Sequence, residues 1–415
     1  MWKTNRGKAN CFSRKSIQVD KRLDKKYTKE WFILLGLLLG VTVTNGFARF
    51  AYGLLLPAMQ TQMDWNYAQA GWLSTVNALG YILGAISTLF LVQKFPSEKL
   101  FAFGLITTSV VLFMTGILPA LEAQYSLRFL AGTFGAVSFS TAGAIASGLF
   151  KENALLNALS IAILFGTGGG LGIILSGAFI PTLIDVVGNG AWPMCWMIIG
   201  LFSMVFMPFG IWSALQVESS KPSRLTRSDF PLLKMLPELA GYACFGFGYI
   251  VYLTFLSAWM TAQSISATMI TAIWVILGVC ICISPFIWRP IFARFGNGIP
   301  LAMVLSSIAF GSVVPLLSPS FPILILSAVI FGCSVFMAPG AITNFTRKNL
   351  PQEMWAYSIS IFTVLFAISQ TLGPYVAGLI GDHFGTIGMG LVTAFIVLLL
   401  GALVALSQKE LSEHS

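Results

Sequence analysis

Residues 31–57, WFILLGLLLGVTVTNGFARFAYGLLLP, form an apolar run broken by one charge, Arg49, and long enough to cross a bilayer as a helix. Ten of the chain's 24 Lys and Arg lie just before it, within residues 1–29. The run exceeds a signal-peptide core and has no small-x-small cleavage site before Asn45, so it is expected to remain as a first membrane span. With 56% hydrophobic and 9% charged residues, the chain has too few polar side chains to cover a water-soluble globule of 415 residues. Lipid is its expected solvent.

The pattern of that first run repeats. A requirement of about 20 mostly apolar residues per crossing places spans near 31–58, 67–92, 99–118, 123–149, 154–181, 191–214, 237–260, 267–290, 299–317, 321–345, 355–380 and 386–407. Every Lys and Arg except Arg49 and Arg128 falls in the N-terminal tail or in alternate connections, and the other connections hold none. By the positive-inside rule both termini are cytoplasmic. The expected division is a basic tail (1–30), a six-span half (31–214), a cytoplasmic linker (215–236) carrying Lys221, Arg224 and Arg227, a second six-span half (237–407) and a short tail (408–415). A net charge of +9 concentrated in the tail and at span ends reads as a topology signal that also touches anionic lipid, and gives no reason to expect nucleic-acid binding.

The halves resemble each other. Gly46-Phe47, Tyr52 and Ala58 of span 1 match Gly246-Phe247, Tyr252 and Ala258 of span 7 at an offset of 200. Phe134-Gly135, Phe139 and Gly143-Ala144-Ile145 of span 4 match Phe331-Gly332, Phe336 and Gly340-Ala341-Ile342 of span 10 at 197; Leu164-Phe165, Leu171-Gly172 and Gly177 of span 5 match Leu365-Phe366, Leu372-Gly373 and Gly378 of span 11 at 201. An even number of spans per half keeps both halves in one orientation, as parallel repeats require. The expected fold is an all-α membrane protein of twelve transmembrane helices in two pseudo-symmetric six-helix bundles.

From Trp31 to Ser407 the chain resembles the major facilitator superfamily. The family's Arg-x-x-x-Gly of helix 4 appears as Arg128 to Gly132, and its glycine-rich helix 5 as Gly166-Thr167-Gly168-Gly169-Gly170-Leu171-Gly172, with a second copy at Gly373-Pro374. Where the family places its gating loops, this chain has Val92-Gln93-Lys94-Phe95 and Ala293-Arg294-Phe295-Gly296, both lacking the usual Asp. The opening of span 1, Gly46 through Pro57, looks like a little-characterised bacterial branch. The resemblance implies a monomeric permease of the bacterial inner membrane, with spans 1, 2, 4 and 5 of each half around a central cavity. It also implies conformational roles for Arg128, Gly132, Gly166, Gly170, Arg294, Gly373 and Pro374.

An ionised side chain inside a span costs roughly 2.5–3.5 kcal/mol on the insertion scale, so Arg49 and Arg128 are the first candidates for function. Thr42, Asn45, Arg49 and Tyr52 follow helical spacing and are expected to form one polar stripe. The repeat sets Tyr242, Phe245, Tyr249 and Tyr252 opposite it. This suggests an organic anion, its carboxylate on Arg49 and its body on the tyrosines; a structural bond from Arg49 to backbone carbonyls or a neighbouring acid is the alternative. Arg128, near the outer end of span 4, has local explanations in snorkelling or an ion pair with Glu122 or Asp64. Asn77, Tyr81, Trp274 and Gln370 complete the set of candidate cavity residues, each also readable as interhelical glue.

All 15 acids lie at or beyond span ends, and His383 and His414 lie outside the spans. A proton relay would thus have to use Asp382 with His383, Glu122 with Arg128, or the solute's own charge. No convergent acid/base or metal set is visible, which disfavours a membrane-embedded enzyme, and no cofactor, metal or disulfide is expected. The sequence reading is a secondary active transporter of a small organic solute working by alternating access, with a facilitative uniporter or a transporter-like sensor as alternatives.

Overall fold

A computed structural model of the chain describes residues 27–150, 152–217 and 231–411; most of the basic tail, most of the linker and the last four residues lie outside the described residues. Twelve helices long and apolar enough to cross a membrane account for nearly all of it. In hydrocarbon each backbone N–H and C=O must be satisfied within its own segment, which a helix achieves by itself. The first crossing, α1, runs Thr28–Met63. It is followed by α2 (Tyr67–Leu91), α3 (Ser97–Ile117), α4 (Leu121–Ala146), α5 (Ala154–Val187) and α6 (Trp192–Leu215). The second half comprises α7 (Leu236–Ala262), α8 (Ala267–Arg294), α9 (Ile299–Val313), α10 (Phe321–Asn349, interrupted by a tight turn at Val335–Met337), α11 (Gln352–Phe384) and α12 (Gly388–Leu406).

The repeat is visible in the backbone itself. Asp64 and Ser264, 200 residues apart, are the two non-glycine residues with positive φ among those described, at 54° and 58°. Each ends the first crossing of its half. Two residues later Asn66 and Ser266 cap the next helix, accepting hydrogen bonds from Gln69 N and Met269 N. The same sharp reversal is thus made twice by different residues, because both halves need the second helix folded back along the first.

Within each half, small residues let helices approach closely, the usual device where lipid supplies no hydrophobic drive between helices. A Cβ at Gly132 on α4 would run into the Asn77 carbonyl on α2, and one at Gly80 or Gly84 on α2 into the carbonyls of Phe129 and Thr133 on α4. Between halves, α1 crosses α7, α2 packs along α11 and α5 packs along α8. One link between the halves lies on the face opposite the chain termini. There Asp382, at the end of α11, accepts hydrogen bonds from Tyr67 N (2.8 Å) and Ala68 N (2.9 Å), the first free N–H groups of α2. A carboxylate on a helix N-terminus is a charge-favoured pairing, and here it joins the two halves.

Candidate functional site

The middle of α1 is not α-helical. Residues Thr42–Phe50 form a π-helix, an irregularity often found at functional sites. In it the Thr42 and Thr44 hydroxyls donate to the carbonyls of Leu38 (3.0 Å) and Gly40 (3.1 Å), so neither side chain is free to reach across to another helix. The wider turn fans out the residues expected to form one stripe. Thr42 stays tied to its own helix, Asn45 lies against Gly169 of α5, Arg49 reaches into the second half, and Tyr52 lies under Arg128.

Arg49 is 9% exposed. Its Nη2 donates to Tyr249 Oη (2.9 Å) on α7 and to Gln370 Oε1 on α11. Tyr249 donates in turn to the same Gln370 oxygen at 2.9 Å. The guanidinium also lies 4.5 Å from the ring centre of Tyr81 on α2, a cation–π contact. Four of the expected cavity residues, from four helices and both halves, therefore converge. Tyr249 is further held by a stack of aromatic rings: Phe245 at 4.7 Å, Phe366 at 5.6 Å, with Tyr242 beyond. Phe366 had no polar signal to single it out in the sequence.

Arg49 and Tyr249 are equivalent positions of the repeat, and so are Gly53 and Leu253, where a Cβ on the glycine would run into the leucine carbonyl. Residues related by a two-fold operation can touch each other only on its axis. The Arg49 cluster thus lies on the pseudo-two-fold axis between the halves.

Arg128 departs from both local readings of it. It is 2% exposed, and Glu122 is exposed at the first turn of α4, so the arginine neither snorkels nor pairs with that acid. Its Nη1 donates to the Ala48 carbonyl (2.8 Å), and its guanidinium lies 4.9 Å from the Tyr52 ring and 5.6 Å from that of Trp196. Burial inside the first half exchanged a route to water for a carbonyl and two ring faces. Asn77 donates to the Arg128 backbone carbonyl at 2.9 Å, tying α2 to α4. Arg49, Arg128, Asn77, Ser74, Ala78 and Ile250 line one small cavity of about 10 Å³, room for roughly one water.

The other expected residues lie elsewhere. Tyr252 turns into its own half, its hydroxyl 2.8 Å from Ser327 Oγ and its ring stacked on Phe331 at 3.9 Å. Trp274 donates to Ser257 Oγ (2.9 Å) at the α5–α8 seam, where Gly177 makes room for it. Gly170 meets the Gly278 carbonyl of α8, while Gly166 opposite Pro285 has more space. Gly373 is pressed on the Phe247 carbonyl, and the Pro374 carbonyl leaves no room for a side chain at Gly71. Arg294 is exposed and lies over Phe295. The loop it belongs to is held instead by Lys348, whose Nζ takes the carbonyls of Phe292 (2.9 Å), Ala293 (2.8 Å) and Phe295 (3.1 Å). A cation satisfying the last carbonyls of a helix is favourable, but nothing in the spacing of Lys348 from α8 announced that role.

Residues 41–406 match the family model described as "Uncharacterised MFS-type transporter YbfB". No curated protein matched the sequence. Among solved structures, the chain is similar to a bacterial homologue of the human lysosomal transporter Spinster in an inward-facing, unoccupied conformation (14% identity, 91% of this chain and 96% of that chain, TM-score 0.67). It is also similar to the nucleoside transporter NupG (14% identity, 91% and 98%, TM-score 0.65). A third similar structure is a POT family transporter in complex with 5-aminolevulinic acid (11% identity, 90% and 95%, TM-score 0.71). At these identities the likeness speaks for the fold.

Proposed function

We propose, on the premise that the chain belongs to the uncharacterised YbfB group of MFS-type transporters and is a membrane transporter, that it carries a small organic anion by alternating access. The observation that carries this reading is Arg49. It is a buried cation on the pseudo-two-fold axis, and its hydrogen-bond partners, Tyr249 and Gln370, are neutral groups contributed by the opposite half. A buried charge without a counter-ion is expensive to keep, and a carboxylate entering between the halves would supply the missing partner in a bidentate geometry. Tyr249 and Gln370 then act as stand-ins that solute displaces or shares, and Tyr81 with the Phe245–Phe366 stack offers aromatic surface beside it.

The remaining assignments rest on the sequence. The charge asymmetry supports both termini in the cytoplasm, and the family resemblance supports a bacterial inner membrane and a monomer whose two halves, 31–214 and 237–407, are joined by the 215–236 linker. Transport is secondary active, with a proton as the candidate coupling ion. Purified protein screened by thermal shift against organic acids, sugars, amino acids and amines tests the solute class, since bound ligand stabilises by mass action. Organic acids should stabilise the wild type and leave Arg49→Ala unmoved. If neutral or cationic solutes bind while Arg49→Lys and Arg49→Ala transport normally, the anion reading fails. Uptake into proteoliposomes with and without an imposed pH gradient tests the coupling; equal rates and no proton flux would leave a uniporter.

A further inference from the structure

The cavity beside Arg49 has a second guanidinium in its wall. Arg128 lines it from α4 and Arg49 from α1, both carried by the first half. Arg128 has one carbonyl and two ring faces as partners, and its Nε has none at all. Gln370 Nε2, which shares the Arg49 cluster, is a second buried donor without an acceptor. Among the described residues neither guanidinium has a carboxylate partner. The one buried acid among the described residues, Glu238, stands 11 positions before Tyr249 on α7, ~16 Å along the helix at 1.5 Å per residue, with both its oxygens unpaired. The site therefore holds two positive charges whose acceptors are all neutral, two buried donors with no acceptor, and no negative charge.

We propose that the transported anion is a compact dianion carrying two carboxylate groups, one held by Arg49 and the other by Arg128; this rests on the anion reading above and narrows it. The charge count leads there: a monocarboxylate would leave one buried guanidinium uncompensated beside the other, whereas two carboxylates neutralise both and satisfy Arg128 Nε. Placement matters too. Both arginines sit on one half, so their spacing survives the rocking of the halves, and the second half contributes only neutral groups that part from Arg49 as the bundle opens. Arg128 is on this view a specificity-determining residue that counts the solute's charges.

The test is binding of straight-chain dicarboxylates of three to six carbons, each against the monocarboxylate of equal length, to the purified full chain by calorimetry. At least one dicarboxylate should bind tenfold or more tightly than its monocarboxylate partner. In Arg128→Gln that preference should shrink to about threefold or less, with monocarboxylate binding retained, while Arg49→Gln should lose both. Equal affinity for the two series, or no binding by any dicarboxylate, overturns the proposal. Monocarboxylate binding that depends on Arg49 would still leave the broader anion reading intact, so the two failures are distinguishable. Should Arg128→Gln fail to fold, the wild-type series alone decides.

Discussion

Helices α1 and α7 occupy equivalent places in the two halves, yet they bring opposite chemistry to their crossing. The first widens into a π-helix and presents a guanidinium; the second stays α-helical and presents a ladder of stacked rings ending in a phenol. Symmetry fixes where they meet, on the axis. Asymmetry decides what can happen there. Two arginines facing each other would repel, and two tyrosines would offer no anchor for charge; an arginine opposite a tyrosine can hold the halves together without a ligand and yield to one that carries negative charge.

That contrast can be broken or sharpened by substitution. The largest effect is expected from Arg49→Ala, which removes the charge that α1 brings to the crossing: solute affinity should fall by about 2–5 kcal/mol, read as a loss of uptake of roughly 30-fold or more in proteoliposomes. Replacing Tyr249 by Phe should leave most of the uptake, because the ring platform persists. Next is Gly53→Val, which puts a side chain into the Leu253 carbonyl at the second equivalent pair. Overpacking of this kind costs about 1–3 kcal/mol, and the melting temperature of the purified protein should drop accordingly, with Gly188→Val, facing open space but strained by its positive φ, as a contrast in mechanism.

Smaller still is the seam away from the axis. Asp382→Ala strips the acceptor from Tyr67 N and Ala68 N and should cost about 1–2 kcal/mol, as loss of a helix cap does; a cysteine placed at the start of α2 should label faster in that variant. An unchanged labelling rate would show that the α2–α11 seam is held by packing alone. The least effect is expected at the two matching reversals. Ser264→Gly should stabilise by about 0.5–1 kcal/mol by relieving a left-handed backbone, and Asp64→Gly by less, since Asp tolerates that conformation better. Equal gains at the two sites would mean the side-chain identity at the turn is immaterial.

Much of the site was legible from residue types alone. Arg49, Tyr81, Tyr249 and Gln370 are polar groups on helices with an apolar surround, and the offset of 200 by itself sets Tyr249 opposite Arg49. What periodicity cannot reveal is the π-helix, because assigning a stripe presumes a regular turn; regular helical spacing puts Thr42 and Tyr52 in one wall that the wider turn fans apart. Tyr252 shared the repeat and the helix with Tyr249, but one direction faces the axis and the other its own bundle. The distance of Arg128 from its helix end says how far water is and nothing of the carbonyl and rings that accept it instead. Asp382 and Lys348 have backbone groups of distant segments as partners, and backbone leaves no mark in a sequence.

The sequence by itself determined that this chain lives in a membrane, how often it crosses, which ends share a side and that its halves repeat, because each follows from transfer free energy and charge summed over local segments. Only the tertiary structure decided which buried polar groups meet. That depends on the direction each side chain leaves its helix and on how closely glycines let helices approach, and these are set by packing between segments far apart in the chain. The meeting of Arg49 with Tyr249 and Gln370 is the product of both: positions supplied by the repeat, contact supplied by the crossing of α1 and α7.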